Sequence, residues 1–128
     1  MPVVRIDDLD LAACHFIKID VEGMERQALE GAVETIRRFK PLLYVEDDRA
    51  EKSDALRELI DSLGYEMYSH RPQLYSAENF ARNPENVFGS TVSLNLYCCH
   101  RSVQSPIDPS RFGMHRVARP TAELPHMT

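Results

Sequence analysis

The feature that most constrains this chain is a change of period at Gly23. Phe16-Ile17-Lys18-Ile19-Asp20-Val21 is a short, β-branched, mostly apolar run closed by Glu22-Gly23, which reads as a buried strand. From Met24 the apolar residues Ala28, Leu29, Ala32, Val33, Ile36 and Phe39 recur on one side at the helical period, with charged residues mostly opposite. The spacing predicts one amphipathic helix from Met24, stopped by Pro41. Leu42 to Val45 form a second strand ending in Glu46-Asp47-Asp48. Ser53 is placed to cap a second helix with the stripe Leu56, Leu59, Ile60 and Leu63, and Gly64 suits its left-handed end. Tyr65 to Ser69 read as a third strand and Ser93 to His100 as a last one. Strand, helix, strand, helix, strand is the signature of an α/β fold with a parallel sheet and crossover helices.

The 128 residues fit one small domain, and 43% apolar content supplies a core. No apolar run reaches the length of a membrane span, and the acidic N-terminus lacks the order of a secretory signal. The expected location is cytoplasmic. A net charge of −5 argues against a nucleic-acid partner. Three cysteines without a CxxC do not form a disulfide framework. The segment 102–128 has Pro106, Pro109, Pro120 and Pro125 and no hydrophobic period, so it is expected to be a disordered tail. About twenty residues from Arg71 to Thr91 form a connection long enough to suggest function or internal order.

Ligands of parallel sheets sit beyond the carboxyl ends of the strands. Asp20 and Glu22 lie at one such end and Glu46, Asp47 and Asp48 at the next, so carboxylates converge on one rim if the strands are neighbours. Such a rim supplies a general base or holds a hard cation. The alternative is that Glu22 and Glu25 decorate a helix start and that Asp47 and Asp48 are solvated. Lys18, in an apolar strand, is expected to pair with Asp20. Cys14, His15, Cys98, Cys99 and His100 gather at the lower rim, but nearly 10 Å of separation and the opposite facing of Cys98 and Cys99 argue against zinc. No metal ligand is assigned. GxSxG, P-loop and HExxH motifs are absent, which leaves hydrolase and kinase readings without support.

Ile6-Asp7-Asp8-Leu9, the string Ile17-Lys18-Ile19-Asp20-Val21-Glu22-Gly23-Met24-Glu25 with Leu29-Glu30-Gly31-Ala32, and Pro41-Leu42-Leu43-Tyr44-Val45-Glu46 resemble the FkbM-type methyltransferases. Asn79-Phe80, Asn83 to Gly89 and Ser93 to Leu96 resemble that family's loop and final strand. The resemblance covers residues 3 to 101. It implies the C-terminal half of a Rossmann-like class I methyltransferase domain, residues 1–101, whose sheet is ordered as the fourth, fifth, seventh and sixth strands of that fold, the last in chain order antiparallel.

It implies transfer of a methyl group from S-adenosylmethionine to a hydroxyl of a sugar, lipid or natural product. Asp20, Glu22 and Glu46 would be catalytic, Asp20 and Glu22 would also face the cofactor, and Asn79, Asn86 and Phe88 would belong to a substrate loop. The chain holds no GxG, the glycine-rich turn that such enzymes place on the cofactor, so one wall of the crevice is expected. The first strand would then be an open edge, available to a homodimer or to a missing N-terminal half. Two readings compete: a non-catalytic interaction domain that uses the edge, and a small acidic domain that binds a divalent cation on the Asp20, Glu22 and Glu46 rim.

Overall fold

In the computed structural model, which describes residues 1–73, 76–82, 84–86 and 93–120, the chain forms a mixed α/β fold. Its elements are β1 (Phe16–Ile19), α1 (Glu25–Glu30), α2 (Val33–Phe39), β2 (Leu42–Glu46), α3 (Ala50–Ser62), β3 (Tyr65–His70), β4 (Asn95–His100) and β5 (His115–Arg116). Short 3-10 turns occupy Ile6–Leu9 and Pro109–Phe112.

The sheet order is β1-β2-β4-β3-β5. Among the described residues, β1 and β2 pair in parallel and the other three pairings are antiparallel. The order of β1 to β4, with β4 antiparallel, is the one the resemblance implied, whereas the simpler expectation of a parallel sheet holds for the β1–β2 pair. Although β2 and β3 run the same way, β4 lies between them, with Val45 and Ser69 both opposite Leu96. Strand alternation sends Ile19, Leu43, Val45, Met67, Leu96 and Cys98 to one face, where they form the core with Leu29, Ile36, Leu56 and Ile60 of the helices. Tyr65 is fully buried in that layer and satisfies its hydroxyl by donating to the Pro41 carbonyl at 2.7 Å.

Tyr44, Tyr97 and Tyr68 line up across the opposite face. Residues after β4 cover part of it: the Tyr97 and Ser105 hydroxyls lie 2.8 Å apart, and the Cys99 thiol donates to the Val103 carbonyl at 3.4 Å. The segment from 102 to 120 is therefore folded onto the sheet, contrary to the expected disordered tail. Arg101 and Arg119 both reach Asp61, Arg116 reaches Glu66, and the Val117 N–H donates to the Met67 carbonyl. These tertiary bonds replace the hydrophobic period the segment lacks. Residues 121–128 lie outside the described residues.

Two helix boundaries also differ from expectation. The single helix from Met24 is broken into α1 and α2 around Gly31, where a side chain would press on Arg5 at 3.3 Å and the Gly31 carbonyl accepts from the Asp7 N–H. The Asp7 carboxylate then caps α2 from a distance in sequence, accepting from the Glu34 and Thr35 N–H groups. α3 starts before Ser53, which is no cap and instead donates to Asp47. Among the described residues, no helix is long and apolar enough to cross a membrane.

Gly64 ends α3 with φ of +92°, as its position suggested, and a Cβ there would stand 2.6 Å from His100 Nε2. The imidazole packs edge-on against Tyr65 at 5.2 Å. Gly64→Ala is accordingly expected to lower stability by about 1–3 kcal/mol, from left-handed strain plus the clash. A urea midpoint that falls with unchanged slope is the check.

Candidate functional site

The candidate site is the rim where β1 and β2 end side by side. Because Ile19 is in register with Val45, the next residues, Asp20 and Glu46, are neighbours on one sheet face. β1 stops there because the chain turns sharply: Glu22 and Gly23 both take left-handed conformations, with φ of 52° and 95°. At Gly23 a side chain would meet Lys52 Nζ at 3.1 Å.

Glu25 stabilises that turn. Its carboxylate is buried, and Oε1 accepts from the Gly23 N–H at 3.1 Å and the Val21 N–H at 3.4 Å. Lys52 of α3 closes the turn from the other side by donating to the Gly23 carbonyl at 2.8 Å. Glu25 is thus no decoration of a helix start. Its signal in the sequence was the Glu-Gly-Met-Glu order, a carboxylate two residues after a glycine suited to a left-handed turn.

Asp47 is likewise not solvated. Its side chain is 4% exposed, and Oδ2 accepts from Ser53 Oγ at 3.0 Å and from Arg57 Nε and Nη2 at 3.0 and 2.8 Å. The Asp47 N–H donates to the Leu94 carbonyl at 2.8 Å. One residue therefore locks α3, β2 and the approach to β4 together, and fixes the backbone from which Glu46 projects.

Glu46 is the chemically distinctive member. Its carboxyl is pushed up to about 7, first by the hydrogen bond it makes to Asp20, then by burial, then by the charges of Asp48, Asp20 and Glu25. Near neutrality Glu46 is therefore poised to give or take a proton. Beside the pair, a cavity of about 170 Å³ lies between α1 and α3. It is lined by the acids Glu25, Glu46 and Asp48 and the bases Arg26, Arg49 and Lys52, with Ala55 and Leu56 as its apolar part.

The structure brings Asp20 and Glu46 together but leaves Glu22 outside. Glu22 is exposed on the turn and is not among the groups acting on Glu46. The expected ion pair within β1 is not formed: Asp20 turns to Glu46, and Lys18 is exposed with no ion pair among the described residues. Asn79 lies in a turn, where its side-chain amide donates to the Ser76 carbonyl, and Asn86 is exposed. Phe88 lies outside the described residues. Among the described residues, no group of three or more His, Cys, Asp or Glu is arranged to hold a metal ion.

Residues 1–67 match the family described as Methyltransferase FkbM domain. No curated protein and no solved structure matches the chain. The family match lies in the N-terminal part of the chain, so the expected extent of residues 3 to 101, and with it the assignment to the C-terminal half of a domain, are not borne out.

Proposed function

The chain belongs to the FkbM methyltransferase family, and from that premise we propose that it serves methyl transfer to a hydroxyl group, with the Asp20–Glu46 pair taking the acceptor's proton. The carrying observation is the near-neutral Glu46 carboxyl beside a cavity of about 170 Å³. An alcohol is a weak nucleophile until its proton leaves. A carboxylate whose proton affinity sits near the working pH serves that step well. In this reading Glu46 accepts the proton, Asp20 shares it by hydrogen bond, and Asp47 and Glu25 hold the two strand ends in place. The Rossmann-like reading of the sheet draws on the same membership, supported by the parallel β1–β2 pair and by β4 lying antiparallel between β2 and β3.

S-adenosylmethionine is the methyl donor this membership implies, and an acidic rim suits its cationic sulfonium. The cavity does not enclose it: about 170 Å³ falls short of the ~300 Å³ at which small-molecule sites begin, and the chain offers no GxG turn for the rest of the cofactor. The isolated chain is therefore expected to bind S-adenosylmethionine only weakly. Titration calorimetry checks this, and a dissociation constant in the micromolar range would show that the crevice is closed by means other than those described. The interaction-domain reading has its own support in the open edge of β1.

A further inference from the structure

β1 lies at the end of the sheet, and among the described residues no strand pairs with its outer side. The Leu42 N–H donates to the His15 carbonyl at 2.9 Å. In a parallel ladder the residues facing a partner alternate, so Ile17 and Ile19 also turn their backbone groups to β2, while Phe16, Lys18 and Asp20 turn theirs outward. The loop and turn hydrogen bonds of the described residues use none of these outward groups. Alongside the edge, Val3, Val4, Val21 and Met24 are 97, 62, 43 and 58% exposed and line an apolar groove of about 350 Å³. An open strand edge next to apolar surface is a pairing surface.

The edge is complementary to itself. In an antiparallel pairing about a two-fold axis through Ile19, Lys18 of each copy stands opposite Asp20 of the other, and Ile17 opposite Val21. Lys18 and Asp20 share a sheet face and both bond outward, so each such pair exchanges two backbone hydrogen bonds and sets unlike charges side by side. An axis through Lys18 would oppose two lysines. An axis through Ile17 would leave both Asp20 carboxylates unmatched.

We propose that β1 pairs antiparallel with β1 of a second copy of this chain about Ile19, forming an isologous dimer joined by two Lys18–Asp20 cross-strand pairs. Lys18 of the partner subunit then stands beside the Asp20–Glu46 pair, so each copy adds a cation to the other's rim. The contact does not depend on the methyl-transfer reading.

Sedimentation equilibrium of the full chain tests it. The wild type is expected to dimerise reversibly. Lys18→Asp and Asp20→Lys each place like charges opposite one another and should weaken the dimer by about tenfold or more, whereas K18D/D20K restores unlike pairs and should bring affinity back to within about threefold. Both positions are exposed, and thermal melting of each variant confirms that the fold is kept. A wild type that stays monomeric at high micromolar concentration overturns the proposal, even if it captures some other extended peptide. So does a dimer equally tight in all variants, or one the double swap fails to restore.

Discussion

Asp47→Ala is expected to lower the stability of the folded chain by about 3 kcal/mol, the lower end of what removing one member of a buried ion pair does. The lower end applies because Arg57 remains 31% exposed while Asp47 is 4% exposed. Loss of the carboxylate strands the Arg57 guanidinium and the Ser53 hydroxyl, which both donate to Oδ2. Against a typical total of about 5–15 kcal/mol, that is a large share. Asp47→Asn keeps an acceptor in place and should lose roughly half as much. Asp48→Ala is the control: its side chain is 40% exposed and meets Arg49 at 3.6 Å, so a change under about 0.5 kcal/mol is expected. Denaturant midpoints measure all three, and equal effects at 47 and 48 would remove the clamp.

The second large effect concerns Glu46. Its folded-state proton affinity, near 7, exceeds the ordinary value of 4.5, so between those limits the native state binds more protons than the unfolded chain. Stability is then fully present below about pH 4.5 and is lost as pH rises through 7. The loss should be on the order of 2 kcal/mol. Glu46→Gln cannot ionise, so its stability should be flat across that window and exceed that of the wild type at pH 8. If Glu46 takes the acceptor's proton, the same substitution should also lower the rate of methyl transfer about 10²–10⁴-fold. Asp20→Asn should act in the same direction, and Asp48→Asn much less. Melting curves from pH 4 to 9 provide the first check, and a slope that survives Glu46→Gln would assign the titration elsewhere.

How much of this was legible in the sequence depends on how far apart the determining residues lie. Short-range pattern gave the strands and the existence of the helices, since apolar period alone decides which face of Leu43-Tyr44-Val45 or Leu56-Arg57-Glu58-Leu59-Ile60 is buried. It could not give the break at Gly31, which is set by Arg5 and Asp7 arriving from the N-terminal arm. Nor could it give the folded segment after His100, which is held by Asp61, Glu66 and Met67.

The site shows the same division. Convergence of Asp20 and Glu46 followed from the two strand ends, and the register makes them neighbours. Alternation alone treated Asp47 as an equal of Asp48. Only the return of Arg57, about two turns into α3, separates a buried clamp from a solvated acid. Glu22 illustrates the converse: it belongs to the motif, yet the left-handed backbone at 22 and 23 carries it outside the carboxyl pair.

The position of β4 sets a schedule for synthesis. Residue 67 closes the family match, but a chain that has emerged only that far holds β2 and half of β3 with nothing between them, because the strand that joins them starts at Asn95. Until then the inner edges of both strands are unpaired, and the apolar faces of Leu43, Val45 and Met67 lack Leu96 and Cys98. Closure of the sheet therefore waits until β4 has left the ribosome, well after β2 and β3. The nascent chain passes through an interval in which it depends on helix packing, or on a chaperone, to stay apart from its neighbours.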